Sequence, residues 1–227
     1  MKILKISLFC FGVFVLSMIN TNVLYAQEDD FQIWGDVSSK YKINKKFKLS
    51  AELGFRTREN SELLKQYYGE LGLKYKLNKR INFSLKFRFT DYSIFDKISA
   101  NRLSFDFGYS FKKWGRTYIS IRERFQYSWL MQSGINNYDA ILLRSRIDVN
   151  YDIRKNKIEP FFAFEHYLGL SDELLGYSLQ LRWTLGASVP VNKWSDVSTA
   201  FRIQRQLNKN NPLTAYVFLV SYNIDIN

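Results

Sequence analysis

One histidine, one cysteine and a long series of arginines bound the chemistry open to this chain. His166 is the only histidine among 227 residues. Membrane-embedded acyl hydrolases need a histidine beside a serine to take the hydroxyl proton as the oxygen attacks. His166 lies toward one end of an alternating apolar/polar segment, on its apolar side, where such a pair would meet lipid. The nearest downstream serine is Ser171, beyond the segment, and no serine stands two residues away on the same face. His166 therefore reads as a plain rim residue, and no catalytic group is expected. Cys10 lies inside the apolar run near the start, is followed by Phe11-Gly12-Val13, and would leave with that run. The remaining chain then offers no thiolate, disulfide or cysteine-ligated metal. Ser171-Asp172-Glu173 could touch calcium, but a lone acidic loop reads as a solvated one. No glycine-rich phosphate cradle is present, and no cofactor or metal is expected.

The site-like feature is a charged face. At alternate positions of successive segments stand Arg56, Arg58, Lys74, Lys86, Arg88, Arg102, Arg122, Arg124, Arg144, Arg146, Arg182 and Arg202. Among them stand Glu52, Glu70, Asp106, Asp148, Glu159 and Glu165. Basic residues outnumber acids two to one. Such a face can be zipped shut by ion pairs, each acid holding one or two arginines. It can also line a narrow basic pore or pocket for anionic solutes.

The elements that carry this face are strands. In residues 47–58, Phe47, Leu49, Ala51, Leu53, Phe55 and Thr57 alternate with Lys48, Ser50, Glu52, Gly54, Arg56 and Arg58. Period two places the two sets on opposite faces of a strand. Eleven such segments follow one another: 31–43, 47–58, 66–77, 81–91, 101–111, 117–127, 138–153, 158–167, 177–191, 195–206 and 213–226. Most match the ~9–11 residues of a tilted membrane-spanning strand better than the ~5–6 of soluble ones. Tyr41-Lys42-Ile43-Asn44-Lys45-Lys46 is echoed by Tyr75-Lys76-Leu77-Asn78-Lys79-Arg80, and short basic turns recur near 113, 155 and 193. Longer polar loops fall near 59–65, 92–100, 128–137, 168–176 and 207–212. Short turns at one end and long loops at the other predict an all-β, antiparallel transmembrane barrel, with short periplasmic turns and longer extracellular loops. Aromatic residues collect at both ends. Tyr41, Tyr75, Tyr109, Trp114, Tyr151, Trp194 and Tyr222 mark the short-turn girdle, and Tyr67, Tyr92, Trp129, Tyr138, Tyr167 and Tyr177 the long-loop one. An exported β-sandwich also alternates, but strands this long with two girdles and only three prolines argue against it.

Eleven strands would leave the first and last parallel, whereas bacterial barrels carry even numbers. The expectation is ten to twelve strands, with twelve preferred and the placement of residues 31–43 open. Glu123 interrupts an otherwise uncharged outward face between Ile121 and Phe125. It is expected either to turn inward at a bulge, beside Arg122 and Arg124, or to meet another protein.

The N-terminus carries its own signal. Lys2 and Lys5 precede an apolar run from Ile6 to Ile19, and Ala26 before Gln27 suits cleavage. The run is shorter than the ~18–20 residues of a spanning helix. Residues 1–26 read as a cleaved secretory signal peptide and 27–227 as a single barrel domain. Cleavage removes two lysines and no acids, lowering the formal charge from +12 to +10. For an exported chain that excess suits lipid phosphates rather than nucleic acid.

Trp34 on the first segment, the Tyr-Lys-Ile/Leu-Asn-Lys turns, the arginines Arg56, Arg88, Arg122 and Arg124, and Pro160-Phe161-Phe162-Ala163-Phe164-Glu165 together resemble an uncharacterised outer-membrane β-barrel family of Bacteroidota, domain-of-unknown-function family 2490. The resemblance covers nearly all of residues 27–227. It implies an outer-membrane location in a Gram-negative bacterium and supplies no activity or catalytic residues. The partners expected are outer-membrane lipids and lipopolysaccharide, the barrel-assembly machinery during insertion, and an anionic small solute.

Overall fold

The computed structural model describes residues 28–92, 98–131, 139–171 and 174–226. Residues 1–26, read above as a signal peptide and holding Cys10, and Tyr138, Asp172 and Glu173, lie outside the described residues. Eleven strands follow in chain order: β1 (Glu28–Lys42), β2 (Phe47–Arg58), β3 (Leu63–Lys76), β4 (Ile81–Asp91), β5 (Ser99–Ser110), β6 (Thr117–Met131), β7 (Ala140–Tyr151), β8 (Glu159–Gly169), β9 (Ser178–Pro190), β10 (Ser195–Gln206) and β11 (Leu213–Ile226). Each pairs antiparallel with the next, and the sheet closes on itself. The eleven strands of the described residues fall within the expected ten to twelve, and the preference for twelve is corrected. β1 joins the wall at full length and closes it by pairing parallel with β11, from Glu28↔Leu213 to Tyr41↔Ile226. Closure leaves no edge strand with unpaired backbone groups, so an odd count is tolerated once one seam is parallel.

The repeated short turns have a common chemistry. The side-chain oxygen of Asn44 accepts the backbone N–H groups of Lys46 and Phe47 at 2.8 and 2.9 Å. Asn78 does the same for Arg80 and Ile81 at 2.7 and 2.8 Å, and Asn192 for Trp194 at 2.8 Å. An asparagine that caps its own turn satisfies donors the ladder cannot reach. In a fourth short connection, Lys113 Nζ donates to the Tyr118 hydroxyl at 2.5 Å and to Asp152 at 3.4 Å. The tyrosine hydrogen bond holds the ammonium above the usual lysine range.

The barrel is inside-out. Leu53, Leu71, Leu85 and Leu185 are half or more exposed on the outer wall, while Glu70, Arg88, Asp106, Arg124, Arg144 and Glu165 are buried within it. One sector of the lumen is apolar: Trp34, Ala200, Ala215, Val217 and Leu219 form a buried cluster against the parallel seam, with Phe161 packed on it.

Candidate functional site

Register brings like charges face to face across the inner wall, and neighbouring strands resolve the conflict. Glu52 and Glu70 are direct partners on β2 and β3, a pairing that destabilises a sheet when left alone. Arg88 bridges them from β4, with Nε 2.7 Å from Glu70 and Nη2 3.1 Å from Glu52, while Lys86 Nζ lies 2.6 Å from Glu70. On β6 and β7, Arg122 faces Arg146 and Arg124 faces Arg144. Arg124 forks onto Asp106 of β5 at 2.5 and 2.7 Å, and Arg146 folds back onto Asp148. Glu165 of β8 holds three arginines: Arg122 at 2.5 Å, Arg144 at 2.9 Å and Arg182 at 3.2 Å. It also accepts the Tyr167 hydroxyl at 3.1 Å.

A second set of contacts joins these pairs. Guanidinium groups alternate with aromatic rings across the lumen. Arg88 lies 3.8 Å from the centre of the Tyr68 ring, and Arg56 lies 5.3 Å from Tyr68 and 4.0 Å from Trp34. Arg202 and Arg182 stand 5.3 and 5.7 Å from Trp34. Arg182 and Arg144 stand 4.9 and 4.4 Å from Tyr167. The ring quadrupole attracts a cation over its face, so arginines are held here where carboxylates are too few. Gly54, the cross-strand partner of Tyr68, makes room: a Cβ there would fall 2.6 Å from the phenol ring. Trp34 is itself aimed. Its indole N–H donates to Gln32 at 2.8 Å, Gln32 donates to Asp30 at 2.5 Å, and Asp30 accepts the backbone N–H of Asn60 at 2.8 Å.

Two chambers of about 680 and 570 Å³ lie along the lumen on the two sides of this belt of charges. The larger reaches the long-loop end at Leu207, Asn208 and Lys209. The smaller reaches the short-turn end at Lys48, Lys76 and Asp225. Both touch Asp36, Glu52, Lys86, Arg122 and Arg124.

The sequence-derived lumen residues are distributed unevenly. Arg56, Arg102, Arg146, Arg182 and Arg202 line the larger chamber and Asp106 and Asp148 the smaller. Lys74 lines the smaller one too, while Glu159 is exposed at the start of β8. Arg58 stands apart at the end of β2, past a register shift between Arg56 and Thr57, 3.4 Å from Glu59. Of the short-turn girdle, Tyr41, Trp114, Tyr151 and Trp194 are about half or more exposed. Tyr75 packs on Phe47, Tyr109 on Phe111, and the Tyr222 hydroxyl meets Ser195. Two long-loop aromatics are corrected: Tyr167 is buried inside the barrel against Glu165, and Tyr92 lines the larger chamber. Sequence reading missed the lumenal roles of Trp34, Tyr68 and Tyr167. All three occupy polar-face parity, between Gln32 and Asp36, between Gln66 and Glu70, and after Glu165, and that parity was the available signal.

Two polar features mark the outer wall. Glu123 does not turn inward, and no register shift occurs on either side of it. It stays opposite Ser145, whose hydroxyl donates to it at 2.6 Å, which lowers the cost of its outward position. Spin labels at 121, 123 and 125 are therefore expected to report one continuous outward face at the two odd neighbours and at 123 alike. A label at 123 with the low accessibility of an inward site would contradict this geometry. His166 does have a serine partner after all: Ser178 Oγ lies 2.6 Å from its Nε2. That serine comes from the adjacent strand, carried into reach by a register shift between Tyr167 and Leu168. Among the described residues no carboxylate bonds the other ring nitrogen, so the pair lacks the orienting third member of a triad. No group of three or more His, Asp, Glu or Cys among the described residues could hold a metal ion.

A closed wall, apolar outside and charged within, defines the class: a β-barrel whose polarity is the reverse of a soluble protein's. The chain belongs to the family described as proteins of unknown function, DUF2490, whose model matches residues 31–214. No curated protein matches the sequence. Among solved structures, the fold is similar to a bacterial polysaccharide outer membrane secretin, with TM-score 0.53 and 10% identity over 79% of this chain and 64% of that one. It is also similar, at TM-score 0.47 and 8% identity, to the β domain of the Bordetella autotransporter BrkA, over 76% of this chain and 82% of that one. The match thus spans less than two thirds of the secretin, and at this identity it speaks to fold alone.

Proposed function

We propose that this protein is an outer-membrane β-barrel of a Gram-negative bacterium, of the Bacteroidota as the family resemblance implies, exported by a signal peptide that ends at Ala26. Its tight basic turns face the periplasm and its longer loops the outside. Its lumen is a largely occluded scaffold with at most a small, anion-preferring conductance. The observation that carries this reading is the ion-pair belt of Glu52, Glu70, Asp106 and Glu165 with their arginines, whose buried side chains reach into the lumen where the two chambers meet. A fold similar to that of a protein named an outer membrane secretin supports the location. Lipids, lipopolysaccharide and the assembly machinery are its partners; nucleic acid is not.

Two experiments test the reading. Detergent-folded protein is expected to migrate anomalously on a gel until boiled, as closed barrels do. A chain that stays soluble without detergent and shows no shift would sink the barrel. In planar bilayers under a salt gradient, a small anion-preferring current or none is expected. A large cation-selective current would contradict the basic lumen. The second reading, a narrow anion pore, is favoured by Arg56, Arg102 and Arg202, which lack a carboxylate among the described residues. A steady anion current abolished by Arg144→Glu and Arg182→Glu would promote it over the scaffold.

The protein is not an enzyme in this reading. Purified barrel is expected to release no acyl chains from phospholipid or lipopolysaccharide, and His166→Ala and Ser178→Ala to change nothing. Acyl release that either substitution abolishes would replace the scaffold with a hydrolase.

A further inference from the structure

We infer that the long-loop chamber is a binding site for a small multivalent oxyanion, held by Arg56, Arg102 and Arg202. The inference rests on the basic, mostly occluded lumen proposed above and adds a ligand class to it.

Three observations converge. First, none of the three arginines has a carboxylate partner among the described residues. Arg202 donates only to the Thr184 hydroxyl at 2.9 Å and Arg102 to that of Ser128 at 3.3 Å. Arg56 is held by the Trp34 and Tyr68 rings. All three line the same chamber. Second, the manner of holding matters. A guanidinium stacked on a ring spends its face on the contact and keeps its in-plane N–H edge free. That edge is the part that forks onto a phosphate or carboxylate. Arg56 is stacked, and Trp34, which stacks it, is fixed by the chain through Gln32 and Asp30. Third, the surplus is one of donors. Arg144 Nε and Gln180 Nε2 are buried and without a protein acceptor, and both residues line this chamber. The short-turn chamber is different: Asp106, Asp148 and Asp225 offset its lysines.

Unpaired buried charge is costly, and a mobile counter-anion relieves it. Asp36 lines the same chamber within electrostatic reach of Arg56 and Arg202, so a singly charged acid would leave one of the three guanidinium groups uncompensated and a doubly charged one none. A ligand with two or more negative charges and several acceptor oxygens matches both the charge and the free donors. Phosphoryl compounds and polycarboxylates share that chemistry, and the chamber that would take them reaches the long-loop end at Asn208 and Lys209.

The test uses the full chain folded in detergent, titrated with inorganic pyrophosphate and with citrate at constant ionic strength, followed by calorimetry and tryptophan fluorescence. Saturable one-to-one binding is expected, with chloride unable to compete at matched strength. Arg56→Gln should weaken it about tenfold, the worth of one charge-assisted contact, and Arg56→Gln with Arg202→Gln about a hundredfold. Lys79→Gln, in a short turn, should leave it unchanged. Pyrophosphate binding alone identifies a phosphoryl ligand, citrate alone a carboxylate, and both a site that counts charge; each supports the inference. A protein that keeps its heat-dependent gel shift but binds neither overturns it, as does equal binding by the arginine variants. If the double variant fails to fold, Arg56→Lys decides: loss of the planar fork should still weaken binding severalfold, and undiminished affinity overturns the site. A large cation-selective conductance would instead defeat the lumen reading. Absent binding with conductance as expected defeats this inference alone.

Discussion

Glu165→Ala is expected to destabilise the barrel by about 3–5 kcal/mol, the usual cost of stripping one partner from a buried ion pair. The size follows from how many groups depend on it. Glu165 is buried, and Arg122, Arg144 and Arg182 all converge on it. Without it, one arginine of each facing pair on β6 and β7, Arg122 and Arg144, loses its carboxylate, and like charges opposite each other repel. Unfolding by urea in lipid vesicles, followed by tryptophan fluorescence, measures the loss. Glu165→Gln keeps the shape while removing the charge, so it should lose most of the same stability. It should also loosen the belt and raise anion conductance above that of the unaltered protein. A shift below about 1 kcal/mol in both variants would mean that the belt is solvated and its pairs are nearly neutral in effect.

The second large effect concerns closure. Ser38→Cys with Asn223→Cys is expected to form a disulfide nearly completely on mild oxidation of the folded barrel. These residues are direct partners in the parallel seam, and their side chains already meet at 2.7 Å. Adjacent strands run about 4.8 Å apart, inside the roughly 4.4–6.8 Å that a disulfide bridges between Cα atoms. The chain has one native cysteine, Cys10, in the segment proposed to be removed, so the background is clean. A ten-strand wall without β1, or a twelve-strand wall with another strand inserted at the seam, would leave the two cysteines unlinked. Cross-linking no greater than for Ser38→Cys with Ser198→Cys, whose strands are not neighbours, would overturn the eleven-strand closure.

Much of this architecture was legible because a barrel wall obeys one rule per strand. Period-two alternation placed eleven segments within a few residues of their observed limits, as at 47–58 and 195–206, which coincide. The Asn-Lys turns were visible as repeats, although the reason for the asparagine, its capping of the backbone N–H groups two and three residues on, needed geometry. The strand count was misjudged toward twelve because parity of bacterial barrels was weighed above the segments actually present. Closure depends on which edges meet, and no local pattern encodes that. Contacts that cross strands were equally hidden. Ser178 reaches His166 through a register shift, and no spacing along the chain announces it. The arginine–aromatic stack fell between these cases. Trp34, Tyr68 and Tyr167 have inward parity in the sequence alone, but which arginine covers which ring is fixed by register.

The parallel seam gives the chain a direction that an even barrel lacks. β1 begins at the long-loop rim and β11 finishes at the short-turn rim. In a wall of even strand number the two free ends lie on one side, and a short linker can join them while new ends are cut in any loop. Here such a joint must run from one rim to the other, alongside a 15-residue strand about 50 Å long at ~3.3 Å per residue. The direct route runs down the lumen, through the crossing arginines and carboxylates. Circular permutation is thereby disfavoured by topology, and in the proposed outer-membrane setting tags placed before β1 and after β11 are expected to be read from opposite faces. A single molecule thus carries its own sidedness assay.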